Sequence, residues 1–398
     1  MYVDELAVGP EAYDPADRMA VDSVDEIEAW RERARQAGVD EDLLDRMAGG
    51  NTGAVAVVDR GGDPAIGLRV DIDGLFVEES ADDGHVPAAE GFRSGIDGTM
   101  HACGHDAHMT WGLSALETVA ESDFGGRLVV FFQPAEEISG GGHPMAESEY
   151  ADDLDYMLAV HVGLDHPTGE VVAGIEKPLA MAHIDVSIEG ESAHAGKAPN
   201  EGANAMHAMG TAIENAYGIP RHGDGMTRVN VGWAEAGSAS NVIAEQAHME
   251  AEVRGETTEL AEYVKTRFER VMRNAARMHD CEATVDVVGE SPRADSDPEL
   301  VDVVADVAEG VPGVDRVVPT ADFGASEDAT FFMDRVQDDG GLAIYSIVGT
   351  DHPTSHHTST FDVDEPSLRH GVDVVVGTIR ELERRHPLPR SERAERTP

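Results

Sequence analysis

The sequence predicts an α/β protein: a central, mostly parallel sheet flanked by helices, with an inserted ferredoxin-like βαββαβ domain. Three observations carry this. The runs LVVFFQ and YMLAVHV are continuously apolar, as strands buried on both faces are. They alternate with amphipathic helical stretches in the first and last parts of the chain. Between about residues 181 and 295 the order changes to strand–helix–strand–strand–helix–strand. The expected domains are therefore 1–180 with 296–398, the α/β part, and 181–295, the insert.

Taken in order, residues 23–48 have helical periodicity, with Ser23 as N-cap and Glu26 three places on. In residues 53–75, two β-rich runs flank DRGGDP, which predicts a hairpin or paired strands. A helix is expected over 109–121, a buried strand at LVVFFQ that runs into the loop PAEE, and another at YMLAVHVG. Within the insert, HIDVSIEG, TRVNVGWAEAG, HMEAEVRG and EATVDVVGE are strands. The helices there are 204–218 and 257–280, the second capped by Thr257 or Thr258, and Trp233 and Met249 are packing residues. The α/β pattern resumes with a helix at 297–310, the strand LAIYSIVG and a final helix at 368–385, and the tail 386–398 is expected to fray.

The charge balance is extreme. Seventy-eight acidic residues face 29 basic ones, for a net charge of −49, and only Lys177, Lys197 and Lys265 are lysines. Disorder is not the cause, because 41% of residues are hydrophobic and periodic. Such self-repulsion opposes a compact state in dilute buffer and is screened in strong salt, the composition of a salt-in halophile. It excludes nucleic acid and anionic membranes as partners. No apolar run is long enough to span a bilayer and the acidic N-terminus has no signal-peptide core. The two cysteines, Cys103 and Cys281, make no disulfide framework. A cytoplasmic location is expected.

Four features fall at the ends of α/β strands: MHACGHDAHM, PAEE, His161 and SHHTSTFDVDE. Strand carboxyl ends are where such sheets build sites. Each feature alone is ambiguous: a lone cysteine is usually buried ballast, His161 a satisfied strand-end imidazole, Glu136–Glu137 a solvated loop. Together, thiolate, imidazole and carboxylate form the ligand set of a borderline divalent ion such as Zn, Mn, Co or Ni. Neighbours in extended chain point to opposite sides, so one glutamate can hold metal while the other faces an activated water. Metal lowers the pKa of bound water to about 7, and a carboxylate can move its proton to a leaving amine. That is hydrolysis of an amide bond.

The ordered segments LRVDIDGL, MHACGHDAH, FFQPAEE, LAVHVG, SAHAGKAPNEGANA, ASNVIAEQAHMEAEVRG, GASEDATFFM and HHTSTFDVDE resemble the metallopeptidase family of amidohydrolases. That family holds aminoacylases, carboxypeptidases and indole-acetyl-amino-acid hydrolases. TRVNVGWAEAGSASNV, GASEDATFFMDRV and GTDHPTSHHTSTFDVDE are most similar to its p-aminobenzoyl-glutamate hydrolase subgroup. The resemblance implies two divalent ions, Mn or Zn first. Cys103 would bridge them, with His105, Glu137, His161 and His357 as further ligands and His356 as fallback for the last. It implies Glu136 as general base and Asp106 as a carboxylate orienting a ligand histidine, with Asp71 and Asp73 in similar or structural roles. In the insert, His194 would reach a partner subunit's site to polarise the carbonyl, and Asn241 and Arg254 would hold the substrate carboxylate. For Arg254 an ion pair among the acids of the insert is an equal reading. The insert would serve as lid and dimerisation domain, in a homodimer or in a heterodimer with a related subunit. Relative to the family's usual pattern, a helix and a strand would precede Met1, so the first layer of the α/β domain is expected to be shortened.

The implied reaction releases an amino acid from an N-acyl or N-aroyl conjugate. Two rivals stand beside it: a thiol hydrolase using Cys103 with a neighbouring histidine, and a non-catalytic or partner-dependent subunit.

Overall fold

A computed structural model describes residues 3–19, 23–352 and 354–388, so the tail from 389 on lies outside the described residues. The chain forms two compact units: the described residues up to Lys177 with Ala294–Phe323 and those from Asp328 on, and Pro178–Arg293 with Gly324–Glu327.

In the first unit, strands β1 (Glu5–Val8) and β2 (Ala54–Asp59) bracket helices α1 (Val24–Gln36) and α2 (Glu41–Arg46). Ser23 and Glu26 form the reciprocal capping box that starts α1. The single helix expected over 23–48 is broken at Gly38, which has a φ of +91°. There follow β3 (Ala65–Asp71), α3 (Val86–Glu90), α4 (His105–Ala120), β4 (Arg127–Gln133), α5 (Gly142–Ala146), β5 (Tyr156–Val162) and β6 (Glu170–Glu176).

The second unit contains β7 (Ala180–Glu189), α6 (Ala205–Tyr217), β8 (Thr227–Ala236), β9 (Gln246–Gly255), α7 (Thr258–Arg277) and β10 (Glu282–Ser291). The first unit then resumes with α8 (Pro298–Ala308), β11 (Arg316–Asp322), α9 (Thr330–Asp338), β12 (Leu342–Val348) and α10 (Glu365–Arg385).

The first unit's sheet has eight strands in the order β1-β2-β4-β3-β5-β12-β6-β11. Its centre, β4-β3-β5-β12, is parallel, while β2 runs antiparallel to β4 and β6 antiparallel to β12. The expected pairing of β2 with β3 does not occur, because β4 lies between them. Successive strand residues supply opposite faces. Leu128 and Val130 join a core with Trp111, Leu300 and Ile379 from α4, α8 and α10, and Val129 and Phe131 join one with Met145 and Phe332 from α5 and α9. Trp111 is fully buried and its indole N–H donates to the Leu368 carbonyl at 3.0 Å.

The second unit's sheet has the order β10-β7-β9-β8 and is antiparallel throughout, the ferredoxin-like arrangement. Ile184, Val186 and Ile188 of β7 and Met249, Ala251 and Val253 of β9 face Val264, Phe268 and Met272 of α7. Thr257 caps α7 by accepting from the Leu260 N–H. Met249 is buried as expected, but Trp233, on edge strand β8, stays 42% exposed. Among the described residues, no helix is long and apolar enough to cross a membrane.

Candidate metal centre

The parallel strands β3, β4, β5 and β12 bring their carboxyl ends to one edge, and the candidate ligands lie at those ends or in the segments that leave them. Asp71 ends β3 and Asp73 follows it. Gly104, at φ +83°, turns the chain between Cys103 and His105 into α4. A side chain there would put its Cβ 2.3 Å from Val162 Cγ1, so the close approach of α4 to β5 needs glycine. Beyond β4, Ala135 takes a φ of +59° and the chain folds into a tight turn, with Ser139 N–H donating to the Glu136 carbonyl at 2.7 Å. Glu136 and Glu137 therefore do not sit in extended chain pointing to opposite sides. Both carboxylates face His105 Nε2, Glu136 Oε2 at 3.9 Å and Glu137 Oε1 at 3.8 Å.

The ring nitrogens are aimed by their partners. His105 Nδ1 lies 3.0 Å from the Asp73 carbonyl and 3.1 Å from Asp73 Oδ1, both acceptors, so Nδ1 keeps its proton and Nε2 is the nitrogen that would give its lone pair to an ion. His161 Nδ1 donates to the Val162 carbonyl at 2.7 Å, leaving its Nε2 lone pair 3.5 Å from Cys103 Sγ. Asp73 also accepts from the Glu137 N–H through Oδ2 at 3.0 Å, which links two candidate ligands through one carboxylate.

Two groups of donor atoms, each within 4.8 Å of one another, share Cys103: Cys103, His105 and His161, all buried, and Cys103, Glu137 and His357. His357 Nε2 stands 3.3 Å from Glu137 Oε2 and its backbone is held at φ +63°. His356, the fallback, is turned away: its Nε2 approaches the Val162 carbonyl at 3.3 Å and its ring packs on Phe361. Five of the residues that the resemblance implied as ligands thus converge, and Glu136 joins them beside His105.

Asp106, expected to orient a ligand histidine, makes no hydrogen bond to a candidate ligand histidine among the described residues. It is exposed in the first turn of α4 and accepts from the Ala107 N–H, while the contact to His105 is made by Asp73. Asp71 is bonded to His108, a residue to which the sequence motifs gave no role. Its spacing of three from His105 on one helix face was the signal for it.

The electrostatics favour a cation. Burial opposes charge on His105, but Asp71, Asp73 and Glu137 outweigh it and push its pKa up to about 9. Burial, then the Glu137 and Glu136 charges, hold the Cys103 thiol well above its usual range. Burial also raises Glu137 and keeps His161 neutral. His105 Nε2 and Glu137 Oε1 are buried without a hydrogen-bond partner. Unpartnered buried polar atoms are costly, and an ion that displaces the His105 Nε2 proton would meet both of these. The donor set, with its thiol, imidazoles and carboxylates, suits a divalent first-row ion.

In the second unit, His194 is exposed and its backbone bridges to Val242, next to Asn241, whose carbonyl accepts from the Ala195 N–H at 3.0 Å. Gly196 N–H donates to His194 Nδ1 at 3.1 Å, so the ring's proton is on Nε2, ready to donate. Arg254 is clamped by Glu252 through two bonds of 2.6 and 2.8 Å, the ion-pair arrangement.

The family model for "Peptidase family M20/M25/M40" matches residues 67–381, well over half of the chain. The chain belongs to this family. A Haemophilus influenzae homolog of one of the subunits of p-aminobenzoyl-glutamate hydrolase is 38% identical over 352 residues, covering 88% of this chain and 83% of that one. The indole-3-acetyl-aspartic acid hydrolase of Enterobacter agglomerans is 36% identical over 378 residues, covering 94% and 87%. The crystal structure of an aminobenzoyl-glutamate utilization protein from Klebsiella pneumoniae superposes with a TM-score of 0.80 at 31% identity, covering 94% and 86%. As an M20 family member, the chain is a metal-dependent amidohydrolase.

Proposed function

We propose that this M20 family amidohydrolase cleaves N-acyl or N-aroyl amino acids, of the p-aminobenzoyl-glutamate or indole-acetyl-amino-acid type, and that it does so with two divalent ions. The observation that carries the reading is the pair of unpartnered buried polar atoms, His105 Nε2 and Glu137 Oε1, inside two ligand groups joined by Cys103. Cys103, His105 and His161 would hold one ion, and Cys103, Glu137 and His357 the other. When bound, such ions lower the pKa of water and polarise an amide carbonyl.

The remaining work belongs to the chain. Glu136, beside His105 and outside the Cys103-sharing groups, accepts the proton of the attacking water and delivers it to the leaving nitrogen. His194, with its proton on Nε2, donates to the developing oxyanion from a second copy of the chain. Asn241 binds the substrate carboxylate, and Arg254 joins it only if the substrate displaces Glu252. Relatives named as one subunit of their hydrolase make a related second polypeptide the alternative partner.

A thiol mechanism is disfavoured by the electrostatics. Cys103 sits among carboxylates that oppose a free thiolate, and burial holds its neighbour His161 below the range of a useful base.

The test combines metal analysis with turnover of p-aminobenzoyl-glutamate, N-acetyl amino acids and indole-acetyl-aspartate in molar salt, before and after chelation. Glu136→Gln should lower turnover by about 10²–10⁴-fold while metal content stays at the parent's level. Parent-like turnover in this variant removes Glu136 as base. Activity indifferent to chelator returns the thiol reading, and activity gained only on adding a second polypeptide makes the chain a partner-dependent one.

A further inference from the structure

Behind the candidate ligands lies a buried polar relay that none of the assigned roles uses. Arg69 of β3 is completely buried. Its guanidinium donates to Asp71 Oδ2 at 2.8 Å, to Gln133 Oε1 at 2.7 Å and to Asp328 Oδ1 at 3.0 Å. Asp328 is held in turn by Gln133 Nε2 and by the Gly142 N–H, each at 2.8 Å. Asp71 Oδ1 is hydrogen-bonded to His108 Nδ1, and His108 Nε2 accepts the Val162 N–H at 2.8 Å. An N–H donor at Nε2 fixes the tautomer: His108 is neutral, its proton on Nδ1 and donated to Asp71. Val162 then uses its carbonyl to accept from His161 Nδ1 at 2.7 Å. Both rings are buried, and they pack edge-on with centroids 4.6 Å apart.

We infer that His108 is a positioning residue: through Asp71 and Arg69 on one side and Val162 on the other, it fixes the orientation and tautomer of His161. This deepens the proposed function and rests on His161 being a ligand there. The physical reason is geometric. His161 can present an Nε2 lone pair toward Cys103 only while Nδ1 has an acceptor, and that acceptor is the carbonyl of the residue whose N–H is pinned by His108. Arg69 is itself anchored on Gln133 and Asp328, and its Nη1 holds Asp71 Oδ2 while His108 holds Oδ1, which limits the rotation of that carboxylate. Both ring nitrogens of His108 are already engaged, Nε2 by backbone and Nδ1 by Asp71, which suits a positioning residue better than a ligand. A carboxylate or carbonyl behind a metal-binding histidine commonly controls metal affinity by about 10–100-fold. Here the control would be relayed through one extra imidazole and one residue's backbone.

The test compares His108→Leu, which can neither donate nor accept, with His108→Gln, whose amide can do both, in the full-length protein in molar KCl. In the metal-free protein, long-range ¹H–¹⁵N spectra of the histidine rings report the His161 tautomer. The Nδ1–H form is expected in the parent and in H108Q, and a mixture in H108L. Binding of Co(II), followed by its thiolate charge-transfer and d–d bands, should then weaken by about 10–100-fold for one of two ions in H108L and recover in H108Q. A His161 tautomer unchanged in H108L overturns the inference. So does an equal weakening of both ions, the sign of a merely structural role. A parent that binds no Co(II) at all sinks the proposed function instead, and the tautomer measurement still decides the role of His108.

Discussion

Asp73 joins two of the candidate ligands, which makes its removal informative. Its Oδ1 faces His105 Nδ1–H at 3.1 Å and its Oδ2 accepts the Glu137 N–H at 3.0 Å. Asparagine at this position offers one acceptor and one donor where two donors wait, so one contact must become repulsive. The Asp73 backbone carbonyl also accepts from His105 Nδ1, at 3.0 Å. The amide is therefore expected to keep its oxygen on Glu137 N–H, and the His105 ring falls back on the carbonyl with its tautomer intact. What is lost is one charge-assisted hydrogen bond, worth about 1.5–3 kcal/mol and partly recovered by that carbonyl. Asp73→Asn should then weaken divalent-ion binding by about 10-fold, the low end of the range for residues supporting metal ligands. Asp73→Ala frees both contacts and should reach about 100-fold. Competition with a chromophoric chelator at fixed pH and molar KCl measures both. If neither variant differs from the parent, the carboxylate does not set the ligands and the reasoning from its two hydrogen bonds is wrong. If Asp73→Asn loses as much as Asp73→Ala, the carbonyl fallback is refuted.

Two further outcomes follow from charge. His183 on β7 is half-buried, and burial holds its pKa below the usual 6.5, so the folded chain keeps it neutral where the unfolded chain takes up a proton. Stability should fall as the pH drops below about 6.5 toward the lower folded pKa, and His183→Gln should flatten that fall in denaturant titrations. An unchanged slope would show that His183 is not the group responsible. The net charge of −49 should make the parent unfold at lower denaturant in dilute buffer than in molar KCl, where the screening length shrinks from about 10 Å to about 3 Å. Stability independent of salt between those conditions would contradict the self-repulsion reading.

The strands of both sheet centres and the long helices were legible because their patterns are strong: LVVFFQ and YMLAVHV could hardly be anything but doubly buried strands. The capping box at Ser23 and Glu26 marked its helix start correctly. Adjacency was not legible. β2 and β3 look like a hairpin from DRGGDP, but local turn chemistry does not say that β4 will slot between them. β6, β11 and α9 also escaped the sequence patterns. RVVPTAD carries a proline that only an edge strand tolerates, and its pairing with β6 is non-local.

At the site, residue types announced a ligand set, yet orientation came only with the backbone. PAEE looked like extended chain, and a left-handed Ala135 turned both glutamates to the same histidine. Asp106 and Asp73 are equally near His105 in chemistry, but only the second faces its ring. The choice between His356 and His357 is made by the positive φ of the latter and by the Val162 carbonyl that takes the former.

The most direct test of the central claim is anomalous diffraction from crystals grown with manganese in high salt. Two peaks should appear, one among Cys103, His105 and His161 and one among Cys103, Glu137 and His357. Manganese found elsewhere, or none in this cluster at saturating concentration, would contradict the account.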